Sequence, residues 1–128
     1  MSRSPEEKAV LAAGIEAFNQ GRYFQCHELL EPLWLADVSP ERDLLKGLIQ
    51  AAAGLYHQKN GNVRGCRKLL ARATGYLKRY CPVGAGLDLA GLLGELDRVL
   101  AFCQTAGPDD PLPPALVPRL RPAGQQGA

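Results

Sequence analysis

The chain is poor in the residues that most often advertise a function. Among its 128 residues are two histidines, one tryptophan and one methionine, and aromatics make up 6%. Lys and Arg exceed Asp and Glu by only two, so no global charge points to a polyanion. No run of eighteen apolar residues occurs, which excludes an apolar span long enough to cross a membrane as a helix. No charged n-region precedes an apolar h-region, so no signal peptide is expected. Four cysteines, at 26, 66, 81 and 103, form no C-x-x-C pair. Such a sparse set reads as reduced thiols in a cytoplasmic protein, not a disulfide framework.

What is present is helical. "SPEEKAVLAAGIEAFNQG" opens with Ser4 as N-cap, Pro5 at the first helical position and Glu7 closing a capping box. Val10, Leu11, Ile15 and Phe18 follow at helical spacing, and Gly21 can end the helix in the left-handed region. Further helices are expected at about 23–36, 40–59, 63–80 and 88–105. The third starts from a second Ser-Pro at 39–40, and Asn62 caps the fourth. "CPVGAG" at 81–86 breaks the chain, and no alternating strand is evident. The expected fold is all-α, one helical domain over 1–106. Six of the ten prolines fall in 108–122, so 107–128 reads as an extended or disordered tail, dispensable for folding unless Leu112, Leu116 and Leu120 dock it.

The helices also repeat. "AAGIEAFNQGRYFQCHELLE" (12–31) aligns without gaps on "AAGLYHQKNGNVRGCRKLLA" (52–71), with seven identities at an offset of forty. They include Gly14/Gly54, Gly21/Gly61, Cys26/Cys66 and Leu30/Leu70. The pattern is similar to tetratricopeptide hairpins, with a longer period. Two hairpins plus a fifth helix make a compact bundle.

The polar cluster lies on the second and third helices. With Leu30 at the centre of the apolar arc, His27 falls inside it, Glu31 at its edge and Glu28 toward water. His27 and Glu31, four apart, can reach a common point. On the third helix Gln50 and His57 stand two turns apart on one line, beside Ala53 and Gly54, small residues that suit a close neighbour. If the helices pack there, His27, Glu31, Gln50 and His57 form one polar seam. Pro32 lies inside the second helix and frees the carbonyl of Glu28 from its usual donor.

Three readings of the seam stand open. A buried hydrogen-bond network comes first. A metal or catalytic site comes second, with His27, Glu31 and His57 holding Zn²⁺ or Fe²⁺ and leaving positions open for water. A metal-free pocket comes third, with Trp34 as a wall or simply as core. H-E-x-x-E is not the H-E-x-x-H of zinc proteases. Cys26 and Cys66 read as small hydrophobes, with Cys26 a conceivable soft ligand beside His27. The fourth helix carries Arg64, Arg67, Lys68, Arg72, Lys78 and Arg79 and no acid. Acids from residues 1–43 can neutralise it within the fold or across a homo-oligomer. Nothing resembles a helix-turn-helix reader or an aromatic-interleaved RNA surface, so nucleic acid is not the expected partner.

"FNQGRYFQCHELLEPLW" and "KGLIQAAAGLYHQKNGNVRGCRKLL" resemble a small bacterial and archaeal domain-of-unknown-function family. Its pattern is F-x-x-G-x-[YF]-x-x-H-E-x-x-E-x-x-W, then G-L-I-Q-x-A-A-x-x-x-H, then G-N-x-x-G. The resemblance covers residues 9–77. It implies an all-helical fold and carries over His27, Glu28, Glu31, Trp34, Gln50 and His57 as ligand-binding candidates. It also implies a metal-dependent hydrolase, a label that is itself inferred. This chain departs from the pattern at Gln25, Cys26 and Cys66. A non-catalytic helical-hairpin interaction module is the other class of function the sequence allows.

Overall fold

A computed structural model describes residues 3–124. Its helices are α1 (Pro5–Asn19), α2 (Tyr23–Ala36), α3 (Arg42–Lys59), α4 (Val63–Leu77) and α5 (Leu89–Cys103). Each packs against the next in sequence, and α3 lies between α2 and α4. The core is a single, mainly aliphatic cluster, with Phe18, Leu30, Leu48, Leu55, Leu70 and Leu96 among its fully buried members.

The caps follow local chemistry. Ser4 accepts from the Glu7 N–H while Glu7 accepts from the Ser4 N–H, so the expected capping box is complete. The second Ser-Pro does not copy it. Ser39 sits in an Asp37-Ser39-Glu41 turn, where Asp37 accepts from the Ser39 N–H and Ser39 Oγ accepts from the Glu41 N–H. α3 therefore begins two residues later than expected, at Arg42.

The two hairpins share their geometry in detail. Gly21 and Gly61 have φ of 75° and 79°. Gly21 N–H donates to Phe18 O and Arg22 N–H to Ala17 O; forty residues on, Gly61 N–H donates to Gln58 O and Asn62 N–H to His57 O. A Cβ on Gly14 would stand 2.6 Å from Leu30 Cδ2, and one on Gly54 would stand 2.9 Å from Leu70 Cδ2. Each hairpin thus closes by seating a fully buried leucine on a bare glycine. Cys26 and Cys66 occupy matching, fully buried positions.

One expectation needs correcting, and one open alternative closes. Residues 81–88 are not merely a break. Val83–Gly84 pairs with Leu87–Asp88 as a minimal antiparallel hairpin. Ala85 and Gly86 at its tip both have positive φ, as the type I′ hairpin turn demands. Of the alternatives open for the Pro-rich tail, its described part takes the extended one docked by its leucines. Leu120 is buried, and Leu112 and Leu116 are half-buried. Asn19 clamps the Leu120 backbone through both its amide N–H and its carbonyl oxygen, at 2.8 and 2.7 Å. Arg121 pairs with Glu95 at 2.6 Å, and Pro122 bridges to Leu87. Residues 125–128 lie outside the described part of the tail.

Candidate functional site

α2 and α3 run antiparallel, and their register decides which polar groups meet. Lys46 lies over the Trp34 ring at one end of the interface, and Phe24 meets Tyr56 at the other. Facing residue numbers therefore add to about eighty. That places His27 opposite Ala53 and Glu31 opposite Ile49 and Gln50. A cleft of about 260 Å³ opens here, lined by His27, Glu31, Trp34, Lys46, Gln50 and the apolar Ile49, Ala53 and Leu69.

Within it His27 Nε2 stands 3.3 Å from Glu31 Oε2, one helical turn apart, with both side chains part-exposed. The contact leaves the other imidazole nitrogen uncommitted to Glu31. Trp34 forms a wall. Its face carries the Arg42 guanidinium 4.5 Å from the ring centroid and the Lys46 ammonium at 5.3 Å. Lys46 is also 5.2 Å from the Tyr76 ring, so the ammonium is held between two aromatic faces. Two buried polar atoms of the cleft residues have no hydrogen-bond partner among the described residues: the Trp34 indole Nε1–H and Gln50 Oε1. Such atoms normally cost about 1–3 kcal/mol each when left unpaired.

His57 does not join the seam. Seven residues beyond Gln50, it lies one turn past the level of His27, and its Nδ1 is 3.3 Å from the Asn62 side-chain amide at the α3–α4 turn. Among the described residues, no three His, Cys, Asp or Glu side chains are grouped so that they could hold a metal ion. The set His27, Glu31 and His57, expected as ligands for Zn²⁺ or Fe²⁺, is therefore not assembled: same-line stacking on α3 separates Gln50 from His57 by about 10 Å of helix. Glu28 is exposed and points away, as the wheel indicates. Cys26 cannot serve as a soft ligand, because it is fully buried in the core and burial pushes its thiol up to about 12.

Lys46 is a cleft residue that the helical pattern alone does not single out. It precedes Gln50 by one turn, so the wheel that places Gln50 puts it on the same face. Pro32 is carried inside α2 without ending it, on the exposed side of the helix.

Comparison with known proteins covers this region. Residues 11–69 match the model of a family described as Domain of unknown function (DUF309). That span contains every residue lining the cleft. The chain is 39% identical over 86 residues to the uncharacterized protein YpuF of Bacillus subtilis, covering 65% of this chain and 49% of that protein. It is 27% identical over 106 residues to an uncharacterized protein of Aquifex aeolicus, covering 81% of this chain and 32% of that one. The chain thus spans half or less of the relatives it matches. No helix among the described residues is long and apolar enough to cross a membrane.

Proposed function

We propose that this chain is a DUF309 domain that binds a small organic ligand in the α2/α3 cleft, through hydrogen bonds and without a metal. The observation that carries the reading is the pair of unpartnered buried atoms, Trp34 Nε1–H and Gln50 Oε1. One is a donor and the other an acceptor, and both residues line one concavity. A ligand group with one acceptor and one donor, such as a carboxamide, would satisfy both once the two side chains turn toward the cleft, since each atom is buried in the unliganded protein. Lys46 supplies a positive charge for an anionic substituent, and Glu31 orients His27 so that its free nitrogen can bond the ligand or move a proton. A metal-dependent hydrolase would need at least one more protein ligand than His27 and Glu31 provide.

A second reading, the interaction module, rests on Phe24 and Tyr56. Their rings pack at 5.7 Å on the same helix pair while remaining 56% and 40% exposed. In that case the occupant is a side chain of a partner protein lying along the groove.

The sole tryptophan lines the cleft and reports on it. Among small carboxamides, amino acids and carboxylates, the proposal expects a compound that shifts Trp34 emission saturably, with the shift lost in Gln50→Leu. A stoichiometric response to Zn²⁺ alone, lost in His27→Ala, would favour the hydrolase instead.

A further inference from the structure

The charge of this molecule is segregated. Residues 44–87 contain eight Lys or Arg and no Asp or Glu, whereas residues 1–43 carry eight acids against four bases. The fold does not bring the two sets together along α4. Arg79, two residues past the end of α4, reaches Asp43 at 3.0 Å. Arg64, Arg67, Lys68 and Arg72 are exposed and make no ion pair or side-chain hydrogen bond among the described residues. Among the described residues, neutralisation within the fold, one of the two fates the sequence allows this basic set, reaches Arg79 and not these four.

Their arrangement is regular. Arg64, Lys68 and Arg72 follow at intervals of four, about 6 Å apart along the helix axis. Arg67 flanks the line. Arg64, Arg67 and Lys68 border a shallow concavity of about 520 Å³ floored by Leu100 of α5. A concave basic surface with an apolar floor focuses positive potential outward.

We propose that this α4 stripe binds the sugar-phosphate backbone of duplex nucleic acid without reading its sequence. A duplex carries a charge every 1.7 Å of axis, so a line of cations about 12 Å long meets several phosphates at once. Single strands are held through aromatic stacking platforms, and the lining of this concavity includes no aromatic side chain. An acidic helix with carboxylates at intervals of four has the same spacing of about 6 Å, and displacement by polyglutamate distinguishes it from a duplex. The site is separate from the α2/α3 cleft and stands or falls independently of it.

The test is fluorescence anisotropy of a labelled 20-base-pair DNA duplex with the full chain, between 50 and 200 mM salt. Four phosphate contacts give a log–log slope of about −3.6, which weakens binding about 150-fold across that range. The triple variant Arg64→Gln/Lys68→Gln/Arg72→Gln should bring the slope to about −1, and Lys68→Gln alone should reduce its size by about 0.9. Lys8→Gln, which removes the same charge from α1, should leave it unchanged. Absence of binding at 50 mM salt, a slope indifferent to the α4 variants, or equal displacement of the duplex by polyglutamate at matched charge would each overturn the proposal.

Discussion

The two hairpins place "CHELLE" (26–31) and "CRKLLA" (66–71) on the same scaffold. The cysteine and the leucines coincide; the other three positions do not. In the first hairpin those positions hold His27, Glu28 and Glu31, and in the second Arg67, Lys68 and Ala71. The shared positions close each hairpin: buried thiol, buried leucine on glycine, left-handed glycine in the turn. The unshared positions face outward and give one hairpin a His–Glu pair in a cleft and the other a line of unpaired cations. The shared positions hold the fold, and the unshared positions set the surface that each hairpin presents.

The comparison breaks most severely at the leucines. Leu30→Ala and Leu70→Ala each empty a fully buried site, and each should cost about 2–5 kcal/mol in urea unfolding. Because the two sites share a geometry, the two losses should agree to within about 1 kcal/mol. A large loss at one and a small loss at the other would show that the hairpins are not equivalent.

Ending the chain after Gly107 should cost about 3 kcal/mol, chiefly through loss of the buried Leu120 and its Asn19 clamp. The loss reads as a lower urea midpoint. Retention of full stability would restore the tail's expected dispensability and leave the repeat as the whole of the fold.

The turns should sharpen the comparison more finely. Gly21→Ala and Gly61→Ala both force a side chain into positive φ, at about 1–2 kcal/mol. At Gly61 the new Cβ also stands 3.0 Å from the carbonyl oxygen of Pro108, whereas at Gly21 its nearest neighbour is the flexible Lys59 ammonium at 3.8 Å. Gly61→Ala should therefore be the costlier of the two in the full chain. In a chain ending after Gly107 that neighbour is gone, and the difference should vanish.

Much of this architecture is legible in the sequence because it rests on local rules. Ser4-Pro5-Glu7, Gly21 and Gly61 declare their caps and turns, and the offset of forty declares the shared frame. The tail was harder. Its prolines say only that it cannot be helical, whereas its docking depends on Asn19, a hundred residues away. At the site, the wheel located His27, Glu31 and Gln50 on their helix faces and sent Glu28 to water. His57 shares Gln50's line, but two turns along α3 carry it past the level of His27, and the side-chain pattern alone does not fix which level of α2 each turn meets. Lys46 went unseen because its role comes from two aromatic rings on two other helices.

The central claim is that the α2/α3 cleft is kept for a ligand, at the expense of stability in the unliganded protein. The most direct measurement is the urea unfolding free energy of Gln50→Leu beside the unmutated chain, with no ligand present. Removing an acceptor that lacks a partner should raise stability by about 1 kcal/mol or leave it unchanged. A loss of about 1 kcal/mol or more would contradict the account, because it would mean that Gln50 belongs to a satisfied structural network and that nothing is held open for a ligand.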